Sequence, residues 1–291
     1  MIKGPIIIGG IGGSGTRIIA AILKEFNIFI GDDLNYPLDN LTYTLVFKRP
    51  GWYINNHLDK SKINTGISII EKSMTKTKSY SISELLFLVS ASLSMSISGH
   101  NIEKQGKGKW AYQRLVHALF NRQKEIQKYA GWGWKEPNSH LILENLDEYF
   151  TGLKYIHTIR HGLDMAYSNN QQQLYNWGKL YGIKIPQNKE EIPFFSFRYW
   201  VEANKKVLKL SKSLGPEKVY LLNFDKLCAH PKEEIQNMMN FIGIEISENH
   251  LKKAIQLPAV PKTKDRFKEH DISVFKSSDI EFLKTLGYDL L

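Results

Sequence analysis

Residues 6–17 read Ile6-Ile7-Ile8-Gly9-Gly10-Ile11-Gly12-Gly13-Ser14-Gly15-Thr16-Arg17, and this stretch decides the fold. The isoleucine run is a buried strand and the glycines are a turn. Ile18, Ile19, Ile22, Leu23 and Phe26 then recur at helical spacing. A strand, a glycine-rich turn and a helix in that order form an anion cradle. Glycines let backbone N–H groups converge, and the helix N-terminus adds partial positive charge. An NTP-hydrolysing loop needs a lysine directly before its Ser/Thr. Here Gly15 precedes Thr16 and Arg17 follows it. The loop is read as a holder of phosphate or sulfate oxygens that does not work in the usual ATPase manner.

Working outward, Ile28-Phe29-Ile30 is a second strand ending at Gly31-Asp32-Asp33. Over residues 38–130 strand signals are sparse. Amphipathic stretches at 67–73, 83–96 and 110–129, joined by turns such as 99–108, predict a helical insertion that serves as an acceptor-binding wall or lid. The apolar run Leu85–Ile97 is too short to span a bilayer and carries serines at 90, 92, 94 and 96, so it is read as a buried helix. Alternation of strand and helix resumes at Gly131-Trp132-Gly133-Trp134, which leads into Lys135-Glu136-Pro137. Asn138 is expected to cap a helix carrying Leu141, Ile142, Leu146 and Phe150. A strand over 153–159 precedes Arg160-His161-Gly162, a helix is expected over 194–212, and a further strand over 218–223. Pro231 suits a first helical turn and Gly243 its stop. Ser278 and Glu281 have capping-box spacing for a last helix ended at Gly287. The expected fold is α/β: one domain over 1–291, a P-loop-type, mainly parallel sheet flanked by helices, with the insertion after the second strand. Ligands in such sheets sit at the carboxyl ends of the strands.

Lysine and arginine number 39 against 29 acidic residues, a formal net charge of +10, which favours an anionic ligand. The lysines are scattered, with no long basic run and no aromatic RNA-binding pattern, so a polyanionic small molecule or glycan fits better than nucleic acid. Cys228 is the single cysteine, which excludes an intrachain disulfide and zinc–thiolate clusters; it is read as buried and inert. The first strand starts almost at once, without a signal-peptide layout, and no transmembrane segment is found. A soluble, cytoplasmic protein is expected.

Three segments together resemble the sulfotransferase superfamily, whose members transfer sulfate from 3′-phosphoadenosine 5′-phosphosulfate (PAPS). Gly10–Arg17 is similar to the family's 5′-phosphosulfate loop, which often ends in Ser-Gly-Thr. Ile159-Arg160-His161-Gly162-Leu163-Asp164-Met165-Ala166-Tyr167-Ser168 looks like its 3′-phosphate motif, a strand-end arginine followed by a serine eight residues on. Leu222–Pro231, continuing through Phe241-Ile242-Gly243, resembles the family's later strand, acidic turn and helix end. The insertion is not covered. The resemblance implies PAPS as donor, the desulfated nucleotide PAP as product, and no metal. It implies that Gly12, Gly13, Ser14, Gly15, Thr16 and Arg17 hold the phosphosulfate while Arg160 and Ser168 hold the 3′-phosphate. Lys264 and Arg266, in the basic turn 262–268, match by position a late loop that closes the nucleotide site.

One departure stands out. The family commonly has Lys or Arg in the loop where this chain has Gly13. Lys135 is the candidate replacement, since Lys135-Glu136-Pro137 resembles a Lys-Asp-Pro turn of the tyrosylprotein sulfotransferases, and Pro137 holds Glu136 extended. The general base implied for the acceptor is expected at Asp32 or Asp33 after the second strand, with Asp39 and Glu136 as rivals. Lys135, Asp33 and Glu136 are the catalytic candidates. His157 is read as a core histidine, and Trp132, Trp134 and Trp200 as core more than adenine platforms. The expected acceptor is a hydroxyl, or less readily an amine, of a carbohydrate, glycolipid or small metabolite. Two other readings remain: a nucleotide or small-molecule kinase with a degenerate loop, and a non-catalytic nucleotide-binding module of the same fold.

Overall fold

The computed structural model describes residues 3–75, 79–98, 106–120 and 125–290. Strand β1 (Lys3–Gly10) is followed by α1 (Thr16–Glu25) and the short β2 (Ile28–Phe29). Five helices come next: α2 (Leu41–Phe47), α3 (Pro50–Asn56), α4 (Lys60–Thr75), α5 (Ile82–Ser98) and α6 (Lys107–Phe120). The chain then re-enters the sheet as β3 (Gly131–Lys135), followed by a 3-10 turn (Pro137–Ile142), α7 (Leu143–Tyr149) and β4 (Lys154–Ile159). After α8 (Gly162–Ala166), α9 (Gln172–Trp177) and the long α10 (Ile192–Leu214) comes β5 (Val219–Asn223). The chain closes with α11 (Phe224–Ala229), α12 (Pro231–Ile242), α13 (Glu248–Ala254) and α14 (Ser277–Thr285).

The five strands form one parallel sheet in the order β2-β3-β1-β4-β5. Side chains alternate across it, so the isoleucine run splits between two cores. Ile6 and Ile8 face α1 and α12, packing with Ile19, Ile22, Leu23, Met238 and Met239. Ile7 faces the other way, with Trp134, Tyr155 and the helices of the insertion. Strand register sets Ile8 opposite Lys135 on one side and Ile156 on the other, and Ile159 opposite Asn223. The carboxyl ends of four strands therefore reach one edge together. The first chain crossing flanks β1, where such sheets take ligands.

The α/β architecture and the insertion between the second and third strands match expectation; several local readings do not. The cap at residue 137 is Glu136, whose carboxylate accepts the Asn138 N–H at 2.7 Å, while Asn138 itself lies inside the 3-10 turn. Helix α14 starts at Ser277 after Lys276 without a side-chain cap, so Ser278 and Glu281 form no capping box. Helix α8 ends at Ala166, so Ser168, eight residues after Arg160, falls beyond it. Of the helix expected over 110–129, α6 accounts for the part up to Phe120, residues 121–124 lie outside the described residues, and a 3-10 turn occupies Ile126–Lys128. Most of the turn expected at 99–108 lies outside the described residues. Helices α2 and α3 fall within the stretch expected to be mostly helical, though neither is singled out by its pattern. Finally, α5 is not a buried helix. Leu88, Ala91 and Met95 are buried, whereas Ile82, Leu86, Leu93 and Ile97 face outward. An apolar run on both faces reads as core in a sequence, but only one face found a neighbour. Pro231 and Gly243 fall where expected, Gly243 in the left-handed region at φ 69°.

Candidate active site

The loop between β1 and α1 is a tight turn. Ser14 N–H donates to Ile11 O at 3.0 Å and Ile18 N–H to Gly15 O at 2.9 Å. Gly15 takes φ 91°, and a Cβ there would stand 2.2 Å from the Phe224 ring, so no other residue fits. Gly13 takes φ 87°, with Met165 Cε 3.1 Å from the place of a Cβ. That conformation explains the missing loop cation, because a lysine at 13 would be strained in this turn. The hydroxyl of Ser14 is buried without a hydrogen-bond partner, and Thr16 is buried beside it. The first N–H groups of α1 have no partner within the helix. A loop of this kind can take the oxygens of a tetrahedral anion.

On one side of the loop lies a cavity of about 350 Å³. Gly12, Gly13, Gly15, Thr16 and Arg17 form its floor; Asp39, Lys48 and Lys135 stand across from them. Lys135 ends β3 and is buried, its ammonium against the Asp39 carboxylate and 3.0 Å from Pro37 O. Burial raises the Asp39 pKa. The Lys135 ammonium, with hydrogen bonds from Lys135 and Asn35, outweighs this and leaves it below the ordinary carboxylate value. Lys48, a residue the sequence reading passed over, sits 3.4 Å from Glu136 Oε1. Glu136 is fully buried and does not line the cavity. Burial lifts its pKa above the usual value despite Lys48, and it is spent on structure, accepting from both the N–H and the amide of Asn138. Arg17 lies at the rim, its guanidinium 5.5 Å from the centre of the Tyr36 ring.

The structure separates Asp33 from this group. Its carboxylate is 2.7 Å from Arg114 Nε of α6, with His117 3.7 Å away, and it does not line the cavity. Burial raises its pKa against the pull of Arg114 and His117. Asp32 faces the same histidine at 3.4 Å. Both aspartates tie the start of the insertion to α6. Asp39 is instead the one carboxylate among the residues lining the cavity.

The far wall is rich in carboxamides: Asn138, Asn170, Gln171, Gln172, Gln173 and Asn176. Gln173 accepts the Gly12 N–H at 2.6 Å and donates to Asn138 Oδ1 at 2.8 Å. Asn138 donates in turn to Glu136 at 3.0 Å, so an unbroken polar chain joins the loop to Lys48. Tyr199 and Trp200 also line the cavity, and their O–H and indole N–H are buried without partners. Trp132 and Trp134 are core residues, as expected.

On the other side of the loop, Arg160 leaves the end of β4. It reaches Gly13 O at 3.5 Å, Thr263 Oγ1 at 3.0 Å and Asp164 at 3.5 Å, and its Nε has no partner. The late basic turn folds over it. Asp265 N–H donates to Asp164 at 3.1 Å and Arg266 donates to Tyr167 O at 3.3 Å, next to Ser168. Burial and the neighbouring Arg160 charge both lower the Arg266 pKa. Asp225 is raised by burial, which Arg160 and Lys264 offset only in part, so both cations lie within its field. Arg160 thus touches both the glycine loop and the late turn to which Lys264 and Arg266 belong. Ser168 Oγ accepts the Asn170 N–H at 3.3 Å, which leaves its own proton free to donate. His161 stacks on Phe267 at 4.5 Å and bonds Asp289 O at 2.9 Å, pinning the turn and the C-terminal segment to β4. His157 is a core residue held by Asn204 at 3.0 Å, its pKa lowered by burial to about 4. Cys228 is half-buried, with burial pushing its thiol pKa up.

A parallel sheet whose first strand delivers a glycine-rich anion loop, with a neighbouring strand delivering a buried lysine to the same cavity, defines a P-loop-type group-transfer fold. The chain belongs to the sulfotransferase family: the description "Sulfotransferase family" matches residues 5–248. Among solved structures it is similar to the sulfotransferase domain from the curacin biosynthetic pathway, with TM-score 0.54 and 16% identity over 100% of this chain and 99% of that one. It is also similar to the sulfotransferase domain from the Synechococcus PCC 7002 olefin synthase, with TM-score 0.50 and 13% identity over 100% and 97% of the two chains. At these identities the likeness is one of fold. No curated protein matches the chain. Family membership assigns the reaction class, sulfuryl transfer. Among the described residues no cluster of three metal-ligating side chains occurs, and no helix is long and apolar enough to cross a membrane.

Proposed function

We propose that the protein transfers a sulfuryl group from PAPS to a hydroxyl of a polar acceptor, a carbohydrate or similar polyhydroxylated compound. The observation that carries this reading is the meeting of the anion loop, Lys135 and Asp39 around one cavity. Two unsatisfied groups fit the donor: the buried Ser14 hydroxyl in the loop and the buried Arg160 Nε beside it. PAPS, when bound, supplies an activated sulfuryl group on its 5′-phosphate. The N–H groups of Gly12–Arg17, with Ser14 and Thr16, hold the phosphosulfate oxygens. Arg160, Arg266, Lys264 and Ser168 hold the 3′-phosphate, which is absent from ordinary ATP.

Sulfuryl transfer needs in-line positioning and positive charge near the bridging and equatorial oxygens. Lys135, with Lys48 behind it, supplies that charge in place of the cation lost at Gly13. Asp39 accepts the acceptor's proton as transfer proceeds. Its low pKa keeps it ionised at neutral pH, and proton acceptance is concerted with bond formation rather than a prior deprotonation. The carboxamide wall supports a hydroxyl-rich acceptor, because each amide offers a donor and an acceptor, as each hydroxyl does.

Calorimetry tests the donor assignment. PAP is expected to bind far more tightly than AMP, and Arg160→Ala to weaken PAP by about 1.5–3 kcal/mol, the range of a charge-assisted contact, while AMP changes little. Equal affinity for the two nucleotides would remove PAPS from the reading. A protein that binds PAP but transfers no sulfate to any polyhydroxylated acceptor would instead favour the binding-module alternative.

A further inference from the structure

Helix α5 carries two apolar faces. One, with Leu88, Ala91 and Met95, packs into the insertion. The other is made of Ile82, Leu85, Leu86, Val89, Leu93 and Ile97, which lie at spacings of three, one, three, four and four and so form a single stripe along the helix. Exposure along it reaches 78% at Ile82, 66% at Leu86, 62% at Leu93 and 82% at Ile97. Between Leu85 and Ser98 the helix bears no charged residue; its one acid, Glu84, is buried against Lys72 at 2.7 Å. The stripe is roughly 22 Å long at 1.5 Å rise per residue. Continuous exposed apolar surface of this size marks an interaction site.

Charge decides what covers it. Exposed Lys107 and Lys109 open α6 beside the end of the stripe, with Lys107 Nζ 3.4 Å from Ile97 O and 3.3 Å from Ser98 O. A second copy would bring another chain of net charge +10 to the same surface. Among the described residues of α5 and α6 the one acid, Glu84, is buried against Lys72, so a second copy's stripe would bring no exposed acid from these helices to the lysines. An anionic bilayer surface satisfies both parts: lipid takes up the aliphatic ridge without a shaped groove, and headgroup phosphates meet the lysines.

We propose that α5 and the start of α6 form a peripheral membrane-binding surface, the stripe entering the headgroup region of an anionic bilayer with Lys107 and Lys109 at its edge. The helix lies on the membrane and does not span it: no described helix is long and apolar enough to cross a bilayer, and one face of α5 is already packed in the protein. Phe87 of α5 packs edge-on against Trp52 of α3, 5.3 Å between ring centres, and α3 begins two residues after Lys48. The membrane surface and the cavity residues Asp39 and Lys48 thus belong to one packed insertion, which would bring a lipid-borne acceptor to the site.

Co-sedimentation of the full protein with vesicles tests this without nucleotide or acceptor, so its outcome is separate from the PAPS reading. Vesicles of equal parts phosphatidylcholine and phosphatidylglycerol are expected to bring the protein down, and phosphatidylcholine alone to do so at least tenfold more weakly. The double variant Leu86→Glu/Leu93→Glu should lose binding by tenfold or more, and Lys107→Ala/Lys109→Ala should lose most of the dependence on anionic lipid and on salt. The circular dichroism spectrum and the melting temperature of each variant report that the fold is intact. Failure to sediment with anionic vesicles overturns the proposal. So does sedimentation that the double glutamate variant leaves unchanged, or a stable dimer that this variant dissociates.

Discussion

Replacing Lys135 with methionine separates what the lysine does for the fold from what it does for the reaction. Its ammonium is buried against Asp39, so the variant strands a carboxylate in the protein. Breaking one partner of a buried pair costs about 3–5 kcal/mol. At roughly 2–4 °C per kcal/mol for a chain of this size, the melting temperature should fall by about 6 °C or more. The double variant Lys135→Met/Asp39→Asn removes both charges and should recover most of that loss, since the neutral amide keeps its hydrogen bond to Asn35. Turnover should behave differently. Loss of a cation aimed at developing charge costs about 10²–10³ in rate in the single variant, and the double variant, which also lacks the Asp39 carboxylate, should stay slow although its fold is restored. Differential scanning calorimetry gives the first quantity, and transfer of labelled sulfate under saturating donor gives the second. Full turnover in the single variant would refute the assignment. A parallel collapse of PAP affinity would move Lys135 from the reaction to nucleotide binding.

The two aspartate candidates should part company. Asp39→Asn is expected to lower turnover by about 10²-fold or more with PAP affinity nearly kept, within the range of general-base contributions. Asp33→Asn should leave turnover within a fewfold and instead lower stability by loosening the Arg114 pair; the reverse pattern in a sulfate-transfer assay would restore Asp33 as the base. Acid should destabilise the protein through its buried histidines. Burial holds His157 at about 4 and His140 at about 3, while the unfolded chain takes up those protons near 6.5. Stability from this source is complete above about pH 6.5 and falls as the pH drops towards 4, by a few kcal/mol. Urea melts across that window check it, and a flat profile counts against both buried neutral imidazoles.

What the sequence disclosed was local. The loop at 9–17 could be read because strand, glycines and helix are contiguous, and Arg160 because it follows a strand directly. The turn bearing Lys264 and Arg266 could be placed only loosely, yet it closes on Arg160 through Thr263 and Asp265. Lys48 escaped notice because nothing near it in sequence marks it; it reaches Glu136 across 88 residues. The hydrogen bond between Gly12 and Gln173 spans 161 residues and has no local signal either. Asp33 was favoured for its place after the second strand, but a turn at a strand end says nothing about which way a carboxylate points. The outer stripe of α5 misled for the opposite reason: its pattern is strong, and hydropathy alone does not tell a face against protein from a face with nothing on it.

The cation sits on a strand and not in the loop, and this changes what can move. Lys135 is locked to Ile8 by register, one strand over from the residues that carry the glycines. Neighbouring backbones in a sheet keep about 4.8 Å between them. The distance from charge to cradle is therefore written into the most inflexible dimension of the molecule. If the loop holds the PAPS phosphosulfate as proposed, any adjustment of the glycine turn to the nucleotide leaves the lysine at its station. Relatives that carry the charge within the turn itself would have to move both at once.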